Sequence, residues 1–283
     1  MATRRMDGAR IDHGAQFFTT RDQRVRELNQ AWLQEEQVVP WYDQVPGRSD
    51  LPTDMRYRGR IGITGPAKAL TKSCDLALNF FADRIVREKK WKIYEREGEG
   101  RTIHADHLVI TIPSVQMLEL LDRSSLDLGI EAMTGLRNIR HTRCLALLGI
   151  LDRSSRLLHP GAVTHPADYI DWLSDNQVKG ISDRPAITLH TSAEFSDRNW
   201  EVPMEEWAPD LISSAQEVLG AEVISFVSHR WGFAKPLQTF GATHYQQSAI
   251  GLTLAGDGFG GERVERAVIS GLDAAASIIE ENS

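Results

Sequence analysis

Cysteine is nearly absent: Cys74 and Cys144 are the only two in 283 residues, far apart and outside any C-x-x-C spacing. That leaves neither a disulfide framework nor a zinc knuckle, and predicts buried thiols in a reducing compartment. Long apolar runs are missing as well. The best, residues 144–151, is far too short to cross a bilayer, and the first residues carry no apolar core of a secretory signal. A cytoplasmic protein without a membrane partner is the expectation. There is no surplus of basic residues either: 32 Lys and Arg stand against 39 Asp and Glu, a net charge of −7. Nucleic-acid binding draws on counterions released at clustered cations, so this balance argues against such a partner, while a local basic site for an anionic ligand stays open. No G-x-S-x-G, H-E-x-x-H or P-loop occurs, which removes the anchor for hydrolase and nucleoside-triphosphatase chemistry. His104 and His107 fall on one predicted strand at a spacing that sends the rings to opposite faces, so no metal site is expected. Tandem repeats and low-complexity segments are absent too.

What is there begins with an ordinary globular composition, 41% hydrophobic and 25% charged, enough for one large domain or two smaller ones. The most informative run lies near the end: Gly256-Asp257-Gly258-Phe259-Gly260-Gly261 fits G-x-G-x-x-G. Ahead of it residues 250–255 have strand character. Behind it Val264, Val268, Leu272, Ala275 and Ile279 recur at helical spacing. Strand, glycine turn and helix is the arrangement in which backbone N–H groups hold a phosphate. A complete dinucleotide fold opened here would need a further strand and an acidic residue about 20 positions on. Glu280 and Glu281 stand near that distance, but in the tail of a helix. A glycine turn before a terminal helix, with no ligand, is an open alternative. The third reading joins this run to the opposite end of the sequence.

Along the chain, Thr20 or Asp22 can cap a helix that buries Val25, Leu28 and Trp32, and the Pro- and Gly-bearing stretch 40–52 reads as a surface loop. Thr64-Gly65-Pro66 starts a helix with Leu70, Cys74 and Ala77 facing inward. Strands are expected at 78–82, 90–95 and 104–112, with Gly98 and Gly100 at a turn, then a helix through Val115, Met117, Leu118 and Leu121. Further strands are expected at 144–151 and 186–190, a helix from Pro203 to Gly220 carrying Trp207, Leu211, Ala215 and Val218, and a strand over 223–231.

The two ends carry a resemblance. Met1-Ala2-Thr3-Arg4-Arg5 and Asp12-His13-Gly14-Ala15-Gln16-Phe17 are similar to a "GGRMATRR" segment and a "D-H/L-G-A-Q-Y/F" segment of the renalase-like FAD-dependent oxidoreductases, relatives of the flavin amine oxidases. Tyr57-Arg58-Gly59, Trp91-Lys92-Ile93, the run from Ala105 to Pro113, His229-Arg230-Trp231 with Ala234, Gly256-Asp257-Gly258, and Val264-Glu265-Arg266-Ala267 with Ser270-Gly271 resemble further blocks of that family, in the family's order. The resemblance implies an α/β fold: a discontinuous Rossmann-like FAD/NAD(P)-binding domain (1–35, 64–122 and 226–283) with an inserted α+β substrate-binding domain of amine-oxidase type (36–63 and 123–225). The family's first strand, GxGxxG turn, helix and second strand, about 45 residues judged against a unit of 30 or more, have no counterpart here. The nucleotide domain is therefore expected to be N-terminally truncated. Arg266 stands where the family has a small residue.

By the same resemblance FAD is the cofactor. Arg4, Arg5, Gly14, Ala15, Gln16, Gly256, Asp257, Gly258, Phe259 and Ser270 are implied as its contacts, and Phe81 as the residue near the adenine. Trp231, His229 and Lys235 are implied at the substrate face, while His190 and His244 are read as bystanders. The implied reaction is oxidation of a small molecule, an isomeric dihydronicotinamide or an amine. Hydride passes to the flavin, and reoxidation by O2 gives H2O2. Two alternatives stand beside it: a truncated, non-catalytic relative or gene fragment that associates with protein, itself included, through an uncovered sheet edge, and a start codon placed too late.

Overall fold

The computed structural model describes residues 1–44, 53–96, 100–281 and 283. The expected loop over 40–52 and the turn at Gly98 lie in part outside them. Two units emerge: Met1–Ser73 with Thr142–Ala234, and Cys74–His141 with Lys235–Ser283.

The first unit opens with a hairpin of β1 (Thr3–Met6) and β2 (Ala9–Asp12). Asp7 and Gly8 both take positive φ, 46° and 83°, the backbone of a two-residue turn whose twist suits a hairpin. Helix α1 (Gln23–Gln34) starts where the Asp22 carboxylate accepts from the Arg24 N–H at 2.9 Å. It buries Val25, Asn29 and Trp32, whereas Leu28, expected on that face, is only half-buried. Strands β3 (Val38–Tyr42) and β4 (Arg56–Gly59) pair antiparallel. Helix α2 (Gly65–Leu70) is shorter than expected: the Thr71 hydroxyl donates to the carbonyls of Ala67 and Lys68, and the polar run that follows has nothing to bury. Leu70, Cys74 and Ala77 are therefore exposed, not inward.

In the second unit, β5 (Ala82–Arg87), β6 (Trp91–Glu95) and β7 (Thr102–Ala105) form an antiparallel sheet. The strand expected at 78–82 begins only at Ala82, because Asn79 sits in the left-handed region at φ 55°. The single strand expected over 104–112 is two. A turn at Asp106 and His107 separates β7 from β8 (Leu108–Ile110), and the Leu108 N–H donates to the Gly251 carbonyl at 2.9 Å, drawing β8 into another sheet. Helices α3 (Ser114–Arg123) and α4 (Ile130–Asn138) follow and bury Met117, Leu120, Leu121, Ala132 and Leu136.

The chain continues through β9 (Arg140–Leu151), β10 (Ala162–Ala167), β11 (Ile170–Asp175), β12 (Ala186–Thr191), α5 (Ala193–Arg198), α6 (Met204–Leu219) and β13 (Val223–Gln238). The sheet order is β10-β11-β12-β9-β13. Alternation along β9 explains its unbroken apolar run. Leu145, Leu147 and Leu151 pack with Trp207, Leu211, Ala215 and Leu219 of α6, while Leu148 and Ile150 pack with Ala9 and Ile11 of β2. Each such side chain contributes about 1.5–3 kcal/mol by leaving water. Cys144 precedes the buried run and is half-buried, so neither thiol is buried as expected.

Back in the second unit, β14 (Tyr245–Gln247) and β15 (Leu252–Leu254) extend β8 into a sheet of order β14-β15-β8, with β15 and β8 parallel. A one-turn helix α7 (Asp257–Gly260) and the long α8 (Val264–Glu281) close the chain. The buried face of α8 is Glu265, Ile269, Ser270 and Ala274, rotated from the stripe expected at Val264, Val268, Leu272, Ala275 and Ile279; Ile279 is 65% exposed. The glycine turn sets that rotation. A side chain at Gly260 would place its Cβ 2.1 Å from the Arg266 carbonyl oxygen, so only glycine lets α8 approach this closely. Among the described residues, no helix is long and apolar enough to cross a membrane.

Candidate functional site

In the first unit the segment leaving β2 is held from the inside by a buried polar network. The Lys179 ammonium, fully buried in the turn after β11, donates to Asp12 Oδ2 at 2.9 Å and to Gln16 Oε1 at 3.2 Å, and lies 4.9 Å above the Trp41 ring. The other carboxylate oxygen of Asp12 accepts from the Thr3 hydroxyl at 2.6 Å and the Ile63 N–H at 2.9 Å. Burial pushes the Lys179 pKa down, Asp12 opposes that shift, and the nearby Arg58 guanidinium adds to it. Gln16 has no capacity left for a ligand on its side chain. Its Nε2 donates to the carbonyls of Asp12 (2.7 Å) and Gly14 (3.1 Å), and its Oε1 also accepts from Ser174 Oγ at 3.0 Å. With those carbonyls turned inward, no described group accepts from the backbone N–H of Gly14, Ala15 or Gln16.

A ring cluster lies against this segment. Trp231 Nε1 donates to the His13 carbonyl at 2.8 Å, and the His190 ring shares that carbonyl at 3.0 Å; a carbonyl only accepts, so the proton on His190 sits at Nε2. His190 thus anchors the segment and is no bystander. The His13 ring stacks on Trp231 with centroids 5.4 Å apart, and His229 meets both edge-on at 4.8 and 4.4 Å. His13 is 6% exposed, and its Nδ1 has no partner among the described residues. Its pKa is lowered to about 4, first by burial, then by the charges of His229 and Arg4; burial and Arg4 lower that of His229 as well. Both imidazoles are therefore held toward the neutral form. A Cβ at Gly14 would stand 3.4 Å from the Trp231 ring and 3.2 Å from the Ala2 nitrogen, so a side chain there would crowd the Ala2 backbone.

In the second unit the glycine turn follows β15. Gly256, at φ 129°, donates its N–H to Ser270 Oγ at 2.8 Å, and that hydroxyl donates on to the Thr243 carbonyl. Ser270 is fully buried, so its hydroxyl shapes the turn from behind. No described group accepts from the N–H of Asp257 or Gly258, and the Asp257 carboxylate lies 3.8 Å from His141 Nε2. Gly258 and Phe259 are buried. Arg4 and Arg5 are exposed on β1, Lys235 is exposed on β13, and Arg266 is exposed on α8. Phe81 precedes β5, 58% exposed, with the Arg96 guanidinium 4.6 Å over its ring.

The first unit thus brings together Gly14, Ala15, Gln16, His229 and Trp231 from the expected residues, and the second gathers Gly256, Asp257, Gly258, Phe259 and Ser270. Sequence reading missed His13, Asp12 and Lys179. His13 and Asp12 lie inside the segment that carries the resemblance, and were available to it; Lys179, in a stretch with no motif, gave no signal beyond a charge within an apolar neighbourhood.

No family model matches the sequence. Solved structures do. A protein assigned as a protoporphyrinogen oxidase from Exiguobacterium sp. 255-15 superposes with a TM-score of 0.59 at 15% identity, over 82% of this chain and 54% of its own. Cyclohexylamine oxidase from Brevibacterium oxydans IH-35A gives 0.61 at 15%, over 81% and 55%, and putrescine oxidase bound to putrescine gives 0.55 at 19%, over 82% and 55%. The chain folds like these oxidases. It spans about half of their length.

Proposed function

We propose that the chain is a FAD-dependent oxidoreductase of the flavin amine oxidase type, acting on a small molecule. The observation that carries this reading is the segment at residues 14–16: three backbone N–H groups without an acceptor among the described residues, fixed from behind, beside a half-buried indole in a fold shared with amine oxidases. Donors of this kind suit the acceptor atoms at the edge of a flat heteroaromatic ring, and a glycine there lets the ring lie against backbone. FAD, when bound, supplies the hydride acceptor, and reoxidation by O2 gives H2O2. Everything else falls to the chain's own residues. Gly14, Ala15 and Gln16 orient the ring through their N–H groups. The sequence resemblance, taken unit by unit, assigns Arg4 and Arg5 of the first unit to cofactor contacts, and in the second unit Phe81, Gly256, Asp257, Gly258 and Phe259, with Ser270 holding the turn. Trp231, with His229, forms the substrate face and excludes water, and its neutral imidazoles offer hydrogen bonds without adding charge. Lys235 is assigned to an anionic group of the substrate. The finer reading, a renalase-like oxidase of isomeric dihydronicotinamides with an amine as the variant substrate, rests on the blocks of sequence resemblance.

The test is the visible spectrum of the purified chain. A yellow protein that releases flavin on denaturation supports the reading. A colourless protein that stays colourless with added FAD overturns it.

A second reading is favoured by one observation. Among the described residues strand β8 ends its sheet without a further strand, with Val109 45% exposed on it and Ile112 and Val115 exposed just beyond. Unpaired strand edges with apolar flanks template association. In this reading the chain self-associates there without binding FAD, and sedimentation of the colourless protein as a dimer or larger species is the expected result.

A further inference from the structure

One deeply buried ionisable group of the first unit, Lys179, has no part in the proposed chemistry. Lys179 is fully buried, and its Nζ reaches two residues of the 12–16 segment at once, Asp12 at 2.9 Å and Gln16 at 3.2 Å. A buried charge of this kind is expensive to maintain. Its neighbours show what it organises. Gln16 Oε1 faces Lys179 and Ser174, and this orients the amide so that Nε2 must point at the carbonyls of Asp12 and Gly14. Those two carbonyls are thereby turned inward, and no described group accepts from the N–H groups of residues 14–16.

We infer that Lys179 is a positioning residue: through Gln16 it fixes the backbone of residues 14–16 with its N–H groups presented for a ligand's acceptor atoms. The inference rests on the reading of that segment as the flavin-facing one. The groups facing the Lys179 ammonium are Asp12 and Gln16 of the segment, Ser174 bonded to the same amide oxygen, the Trp41 ring and the Arg58 guanidinium. Asp12 is the carboxylate in hydrogen-bond contact with it. Removing the cation alone would strand that carboxylate, so the informative variant changes both partners.

The experiment uses the full chain with Asp12→Asn and Lys179→Met together, which removes the ion pair without leaving a buried charge. Backbone 15N order parameters at Gly14, Ala15 and Gln16 are read by NMR in the flavin-free protein, and FAD binding is read separately. The expected result is a cooperatively folded variant in which these order parameters fall from the rigid range, about 0.85, to below about 0.6, with those of α6 unchanged. FAD binding should weaken by at least about tenfold in the same variant. A folded variant with unaltered order parameters at 14–16 overturns the inference. Should the double variant fail to fold, Gln16→Met keeps the Asp12–Lys179 pair whole and decides in its place: lowered order parameters at Gly14 and Ala15 support the inference, and unaltered ones overturn it. If the unaltered chain takes up no FAD, the proposed function fails, while the order parameters still decide the positioning role.

Discussion

The two segments proposed to meet the cofactor are held by opposite means. Residues 12–16 are fixed by side chains that arrive from far along the chain: Asn176, Lys179, Ser174, Thr188, His190 and Trp231 all bond to them. The turn at 256–260 is held mostly by its own surroundings. Its shape comes from the carbonyls of Gly256 and Asp257, from Ser270 on the following helix, and from the absence of a side chain at Gly260. The lesson is that a close backbone approach can be specified locally by glycine, whereas a row of unpaired N–H groups on an irregular segment needs a buried scaffold to hold it open.

That contrast can be broken by mutation. The largest effect is expected for Lys179→Met alone, which leaves the buried Asp12 carboxylate without its cation; such losses run to about 3–5 kcal/mol, read as a fall in the urea midpoint. A loss under about 1 kcal/mol would mean that the first segment does not depend on remote charge.

Next comes acidification. His13 has its pKa lowered to about 4 from 6.5, so between these values the unfolded chain binds a proton that the folded chain refuses. Stability therefore rises with pH through this window and is lost on going from pH 7 to pH 4, by on the order of 2 kcal/mol for this one group. His13→Gln should flatten that part of the urea midpoint against pH, and an unchanged slope would refute the assignment.

On the other side of the comparison, Gly260→Ala drives a Cβ to 2.1 Å from the Arg266 carbonyl oxygen. The cost is about 1–3 kcal/mol of overpacking, read in the same denaturation experiment. Ser270→Ala is the smallest, about 1–2 kcal/mol, because it leaves the Gly256 N–H and the Thr243 carbonyl without their shared partner. If these two equal or exceed Lys179→Met, the second segment is the more tightly specified, and the comparison reverses.

Elements whose signals are local were legible. The cap at Asp22, the glycine stop at Gly220 in the left-handed region, the apolar stripe of α6 and the strand–turn–helix at the C-terminal end all read from neighbouring residues. Where a long-range bond intervened, reading failed. The 104–112 strand broke because Leu108 pairs with Gly251; the rotation of α8 was missed for a different reason, a close approach of Gly260 to Arg266 that apolar spacing does not report. The site followed the same division. Gly14 and Gly256 stood out in the sequence motif as candidates, but the role of Gln16 as an inward brace, and of His190 as an anchor, depended on partners more than 150 positions away.

The sequence by itself determined the local grammar: which stretches are helix or strand, where glycine must stand, and which segments resemble flavin oxidases. Only the tertiary structure decided which polar groups are spent and which remain for a ligand. The physical reason is that hydrogen-bond capacity is finite. Whether an N–H on residues 14–16 is free to meet a cofactor depends on where every competing acceptor lies, and that is a property of the folded chain, with Lys179 at its centre.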